Sequence, residues 1–474
     1  MNALPYLVLA LFLLPGLVAS GGMFFDGVTY SAIARNLAEG VGTFWAPHYT
    51  QTTYPQFYEH PPLGFFWQSL IYRLLGDAFW VDALWGILMG TLTLSAISLH
   101  WTRREETQTR WWPLLLWLCF PITGWAFKNN LLETMVAPCL LFSALFADEA
   151  LFHKHFVKRI LFAALAGTLM TLAFLIKGPV AGFVLAVAPL RWLTSHKISK
   201  QSAITVTLVM GLGAITSLGI IVLPERTEGI LALTTYLNQQ VARSLVGMRE
   251  LAPSRFYLLK RLILEILCPL ALGYFAMRWT KEKPQGKNEN AKYYTLLGFC
   301  GSLPLLSSPK QMGWYLIPSL PFFALGIASY FKHTAPILDS KLKRPIRWGI
   351  FTTLCVATIT LTFLNRGAIF RDAPTYRDLV LQKISLPPRT NLSVCPKGMM
   401  EHRSLIAIVQ RFQRASLTTE PSSYWLRNLS SDCPVPPKCV LAQPKAAEAY
   451  ELFYCANGVA THSSPPSPNL PLKK

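Results

Sequence analysis

Asp26, Glu59 and His60 are the residues of this sequence best suited to chemistry. All three fall in one stretch of about sixty residues between two apolar runs, 4–20 and 80–99. A handful of residues would suffice to join two such runs. The stretch instead carries Asp26, Arg35, His48, Glu59, His60 and Asp77 among aromatic residues and prolines. Within it, Tyr58-Glu59-His60-Pro61-Pro62-Leu63 reads as a stiff elbow leading into a helix over 63–74. Proline suits a first helical turn and holds the residue before it extended, which fixes the directions of Glu59 and His60. A carboxylate aimed in this way suits proton transfer or the binding of a cation. Asp26 precedes a helical pattern over 27–39, in which Tyr30, Ile33, Ala34 and Leu37 recur on one face. The plainest role for Asp26 is as the N-cap of that helix.

Further ionisable residues stand at the ends of later apolar runs. Lys128 and Glu133 mark one junction and Lys177 the next; Arg243 and Arg249 lie in the loop 224–256, and Lys310 precedes Trp314-Tyr315. Each alone is an ordinary interfacial anchor whose stem lies along lipid. Together they bring three carboxylates (Asp26, Glu59 and Glu133) and several cations to one membrane face. That combination suits transfer from a phosphate leaving group: cations neutralise the departing phosphate, and a carboxylate takes the proton of the attacking hydroxyl. His48 and His60 with Glu59 could bind a divalent metal ion. The sequence has neither a phosphate-loop pattern nor a dinucleotide fingerprint.

The elements that must position these residues are membrane helices. The chain is 52% hydrophobic and only 14% charged, where a soluble domain carries about 25% charged residues. Its net charge of +20 does not indicate nucleic acid, because the basic residues sit in short clusters between apolar runs. We expect about eleven spans, at 4–20, 80–99, 111–127, 131–147, 160–176, 178–193, 201–223, 257–277, 291–307, 312–330 and 347–364. Several are shorter than the ~20 residues a bilayer core requires, so their ends extend into aromatic flanks. Lys128, Asn129, Asn130 and Glu133 split one long apolar region, and Lys177-Gly178-Pro179 splits another, since charge is costly in lipid. With a cytoplasmic N-terminus, five short inside loops hold nineteen basic residues, Lys283, Lys287, Arg104, Arg191 and Lys332 among them. This obeys the positive-inside rule and puts the first loop, the loop 224–256 and everything after Asn365 outside. The alternative for 4–20 is a cleaved signal peptide, against which stands the missing basic n-region.

The part outside the membrane, 365–462, reads as a small α+β domain, and 463–474, rich in Ser and Pro, as unstructured. Strands are expected at 404–409 and 451–455. Four of the nine cysteines, Cys395, Cys433, Cys439 and Cys455, lie here. An even number in a small external domain suggests disulfides, with three pairings open; a zinc site is disfavoured by the absence of a tight Cys-x-x-Cys pair.

The chain resembles the integral-membrane glycosyltransferases of the GT-C fold, in the superfamily of the protein O-mannosyltransferases and the aminoarabinose transferases of lipid A. The resemblance covers 4–364. It rests on Phe24-Phe25-Asp26 with Tyr30-Ser31-Ala32-Ile33-Ala34, the Tyr58–Leu63 elbow, Lys128-Asn129-Asn130-Leu131-Leu132-Glu133, Leu175-Ile176-Lys177-Gly178-Pro179, and Lys310-Gln311-Met312-Gly313-Trp314-Tyr315-Leu316-Ile317-Pro318. It implies an all-α polytopic bundle of about eleven transmembrane helices, with interfacial helices in a catalytic loop 21–79 and the small periplasmic domain after it. It also implies an inverting transfer of a sugar from a polyprenyl-phosphate donor to lipid A, a glycan or a protein hydroxyl, outside the bacterial inner membrane. By the resemblance, Asp26 is the general base or orients the acceptor, and Glu133 is a second acid at the site. Glu59 matches an acid that in some relatives helps to bind a metal ion. His60 stands where the aminoarabinose transferases have a lysine, so neutralising the phosphate leans on Lys177, Arg243 and Lys310, with Tyr315 beside them. The expected partners are the donor lipid, the acceptor and the bilayer, with no nucleic acid and the chain acting as a monomer. A transporter or flippase of lipid-linked anionic sugars is the alternative reading, which would place broken helices and charges near mid-membrane in related halves.

Overall fold

The computed structural model describes residues 1–105, 109–249, 251–282, 288–382, 384, 386–443 and 446–455. Lys283 and Lys287 and the Ser/Pro-rich stretch 463–474 lie outside them. Two compact units emerge, one comprising Met1–His48 and Gln56–Ala368, the other Tyr49–Pro55 and Ile369–Lys474.

The first unit is helical. Among the described residues five helical stretches are long and apolar enough to cross a membrane: Phe79–Arg104, Leu132–Phe152, Phe156–Thr194, Lys200–Leu245 and Arg344–Leu364. Other expected spans are built from shorter pieces. The region 111–127 is Trp111–Leu118 followed by Pro121–Lys128, interrupted where Pro121 has no N–H to continue a helix. The region 291–307 is Glu289–Ser302 ending in a 3₁₀ turn, and Leu320–Tyr330 follows a 3₁₀ turn at Gly313–Leu316.

The 39-residue stretch Phe156–Thr194 is two passes. At one end Lys177 pairs with Glu133 at 2.8 Å; at the other Arg191 pairs with Asp148 at 2.6 Å. Glu133 and Asp148 sit on the same Leu132–Phe152 helix, about 22 Å apart along its axis at 1.5 Å per residue. The chain therefore reverses between Lys177 and Arg191. It does so at Gly178, whose φ of 77° favours glycine and where an added Cβ would strike the Tyr236 ring. The split expected at Lys177-Gly178-Pro179 has this cause.

The first and last helices of the unit run side by side in the same direction. Leu4–Leu13 packs against Arg344–Leu364, and beyond their ends Gly367 N–H donates to the Val18 carbonyl at 2.8 Å and Ser20 N–H to that of Ala368 at 2.9 Å.

The second unit is an α+β fold around a five-stranded sheet. Strands β1 (Asn391–Cys395), β2 (Ser416–Thr418), β3 (Tyr424–Asn428), β4 (Cys439–Leu441) and β5 (Tyr450–Cys455) lie in the order β2-β1-β3-β5-β4. β1 is parallel to β2 and β3, while β5 is antiparallel to β3 and β4. The strand expected at 451–455 is β5. The one expected at 404–409 is instead the helix Arg403–Ile408 and its continuation. Topology overrides local preference there, because parallel β1 and β2 need a crossover connection. His402 caps that helix by accepting from Leu405 N–H. Disulfides join Cys395 to Cys433 and Cys439 to Cys455, the second across the β4–β5 pair, and pack around Trp425 and Phe453. The buried Asp378 carboxylate accepts the N–H groups of 448, 449 and 450. From the first loop, Gln51 N–H donates to Ser416 Oγ at 2.9 Å and Thr52 Oγ1 to the Leu417 carbonyl at 2.6 Å. That loop thus lends the segment Tyr49–Pro55 to this unit.

Candidate functional site

Asp26 lies in the first turn of the Phe25–Ala38 helix, and Phe24 takes the N-cap position with no side-chain cap. The N-cap role for Asp26 is therefore corrected: it is a first-turn acid, one position inside the helix, where it interacts favourably with the helix dipole. Phe24 N–H is satisfied by Asn129 Oδ1 at 2.6 Å. The helix backs onto the Asn129-Asn130 turn at Gly27, where any Cβ would overlap the Asn129 carbonyl. Asn130, at φ 52°, donates to Ser31 Oγ at 2.9 Å and to Gln68 Oε1 at 3.2 Å. The polar turn between two apolar runs is thus the lock that fixes the Asp26 helix against the helix Leu63–Leu75.

That second helix starts where expected, with Pro62 as its N-cap and Pro61 and Pro62 buried. The loop before it is tied at its stem: Asn36 Nδ2 donates to the His48 carbonyl at 2.9 Å and Phe57 N–H to that of Pro47 at 2.8 Å. The elbow directs His60 Nε2 to the hydroxyl of Tyr30 at 3.1 Å. Tyr30 is one turn beyond Asp26 on the same helix face. Its hydroxyl is pushed up from its ordinary range by burial first, then by the charges of Asp26, Glu133 and Glu59. His60 is driven the other way, well below its usual value, by burial and by the cations Lys177, Lys310 and Arg249. It is therefore neutral at pH 7, and its buried Nδ1 has no hydrogen-bond partner among the described residues.

The remaining charges come from later junctions. Glu133, buried in the first turn of its helix, holds Lys177 at 2.8 Å. Lys177 Nζ stands 5.4 Å from the centre of the Tyr315 ring, and its carbonyl accepts from the Tyr236 hydroxyl at 3.0 Å. Arg249 reaches Glu59 at 3.5 Å. The loop holding it is anchored beside Lys310, since Ala252 N–H donates to the Pro309 carbonyl at 3.0 Å and Ser308 Oγ to that of Ser244 at 3.1 Å. Asp26, Glu133 and Glu59 thus act on Tyr30, Glu133 and Asp26 on Tyr315, and Lys177, Lys310 and Arg249 on His60, the hydrogen-bond partner of Tyr30. Arg243 differs: it is exposed on the short helix Arg243–Leu245, and the arginine of that loop facing the cluster is Arg249. Tyr30 and Tyr236 are the members that sequence reasoning missed. The spacing of Tyr30 from Asp26 was a legible signal; nothing local marks Tyr236. His48, Glu59 and His60 do not gather: among the described residues no group of three His, Cys, Asp or Glu side chains is placed to hold a metal ion.

A bundle of apolar helices with a polar cluster at one end and a small disulfide-bonded α+β unit is the architecture of the GT-C fold. The chain is similar to ArnT from Cupriavidus metallidurans. Against the crystal structure of ArnT bound to undecaprenyl phosphate the TM-score is 0.60 at 14% identity, covering 98% of each chain. Against the apo state it is 0.64 at 14% identity, covering 95% of this chain and 96% of that one. At these identities the likeness is one of fold. A weaker likeness, TM-score 0.49 at 12% identity, joins it to the apo oligosaccharyltransferase of Archaeoglobus fulgidus, with 87% of this chain and 64% of that one covered. No protein-family profile and no curated protein sequence matches the chain.

Proposed function

We propose that this chain is a glycosyltransferase of the bacterial inner membrane, moving a sugar from a polyprenyl-phosphate donor to an acceptor hydroxyl at the outer face. The observation that carries the reading is the meeting of Asp26, Glu59 and Glu133 with Lys177, Arg249 and Lys310 at one end of the bundle. The capture of undecaprenyl phosphate by ArnT, a protein of the same fold, supports the donor class.

In this reading the acceptor oxygen attacks the anomeric carbon as the bond from that carbon to the phosphate oxygen breaks. The acceptor proton passes to the Asp26 carboxylate, and the electron pair leaves with the phosphate. One displacement inverts the anomeric centre. Lys177, Arg249 and Lys310 neutralise the leaving phosphate; Arg249 takes the part first given to Arg243. Glu133 and Glu59 hold Lys177 and Arg249 in place rather than acting as bases. His60, neutral, contributes a hydrogen bond and no charge. A chelator added to the assay below tells whether transfer needs a metal ion. The acceptor is lipid A, a glycan or a protein hydroxyl.

Purified protein incubated with synthetic polyprenyl-phosphate sugars and membrane lipid extract tests the proposal. Release of free polyprenyl phosphate with transfer of the sugar is the expected result. Movement of the intact donor across a proteoliposome bilayer, with no transfer, would overturn it in favour of a flippase.

A further inference from the structure

At the opposite end of the first helix from Asp26 lies a cavity of about 610 Å³ between the starts of Leu4–Leu13 and Arg344–Leu364. Its lining combines Leu4, Trp348 and Phe351 with Lys343, Arg344 and Arg347. Arg347 is engaged, pairing with Asp339 at 3.4 Å. Lys343 and Arg344 are exposed, and their side chains have no hydrogen bond or ion pair within the described residues. Two unneutralised cations at the rim of an apolar cavity call for an anion with an apolar body.

The helix beneath the cavity points to the same ligand. Arg344–Leu364 has 21 residues, and only 6% of its apolar window is buried by protein. Its length, about 31 Å at 1.5 Å per residue, matches a hydrocarbon core, so its flank faces lipid and its first turn marks a membrane boundary. The positive-inside rule assigns that boundary to the cytoplasmic leaflet, where anionic lipids attract juxtamembrane basic residues.

We infer that this cavity seats one anionic phospholipid, its phosphate held by Lys343 and Arg344 and its acyl chains lying along Leu4, Trp348 and Phe351. The site is independent of the cluster around Asp26 and of the activity proposed for it.

The test is native mass spectrometry of the full chain in neutral detergent, titrated with phosphatidylglycerol, phosphatidylcholine or inorganic phosphate. We expect one phosphatidylglycerol bound in preference to phosphatidylcholine, with affinity falling about tenfold or more in K343A/R344A and kept in the charge-preserving K343R/R344K. Should the neutralised variant fail to fold, the wild-type protein still decides: raising salt from about 0.05 to 0.5 M must weaken phosphatidylglycerol binding if cations hold the phosphate. Equal binding of the two lipids, salt-insensitive binding, equal affinity in wild type and K343A/R344A, or displacement of the lipid by equimolar inorganic phosphate overturns the inference.

Discussion

The two ends of the Leu132–Phe152 helix carry similar residues in opposite states. At one end, Asp148 is fully buried between two arginines: Arg191 contacts it at 2.6 and 2.8 Å and Arg104 at 2.7 Å. Arg191 also donates to Asn290 at 2.6 Å and lies 3.5 Å from the Tyr293 ring centre, while Asn290 in turn donates to Glu105 at 2.8 Å. Each charge there is answered by another and by hydrogen bonds, which is what makes buried ions tolerable. At the other end, Glu133 answers Lys177, yet His60 Nδ1 and Asn130 Oδ1 are buried without hydrogen-bond partners among the described residues, and three cations act on a neutral histidine. A closed network fixes helices. A cluster that leaves buried polar atoms unanswered and keeps several cations at hand is suited to receiving a ligand that carries a phosphate.

Substitutions at both ends should separate these roles. The largest effect is expected from Asp26→Asn, which keeps shape and removes the proposed base: transfer should fall by about 10²–10⁴-fold with the melting midpoint and donor binding retained. Near-normal transfer by this variant would sink the assignment of Asp26. Next, Asp148→Ala strands two buried guanidinium groups and should cost about 3–5 kcal/mol of stability, read as a lowered unfolding midpoint in detergent, with transfer per folded molecule unchanged. An undiminished midpoint would break the contrast between the two ends. Lys177→Ala should weaken donor binding by about tenfold, because it removes one of the cations proposed to hold the phosphate and strands Glu133; a titration of lipid donor against variant protein checks it.

The smallest effect concerns His60. Its pKa in the folded protein is depressed, so the unfolded chain takes up the proton first as pH falls below about 6.5. Stability is full above that value and declines as pH drops toward the folded-state pKa. His60→Gln, which cannot take up that proton, should therefore lose less stability than the wild type between about pH 7 and pH 5. Parallel pH profiles for the two proteins would show that His60 is not held neutral by its surroundings.

The contrast between the ends was only half legible in the chain. Arg104, Arg191 and Lys332 read as loop charges that set topology, because a sequence does not show that Asp148, Glu149 and Glu105 return to meet them. The Asp26 end was clearer. Its residues stand at the ends of apolar runs, and charge cannot stay inside lipid, so they had to gather at a membrane face. Arg243 and Arg249 lie in one loop, anchored to 308–309, and it is Arg249 that reaches Glu59, a choice no local pattern in the loop marks.

By itself the sequence determined the membrane class, the split at Lys177-Gly178-Pro179, the elbow before Leu63 and the presence of a separate unit with four cysteines. Each follows from a local cost: charge in lipid, proline in a helix, or a core too small to stand without cross-links. Tertiary structure alone decided which cysteines pair, that 404–408 is a helix, that Tyr49–Pro55 joins the second unit, and which cations act on His60. These choices depend on contacts between residues far apart in the chain, where the free energy lies in packing and in paired charges rather than in any local pattern.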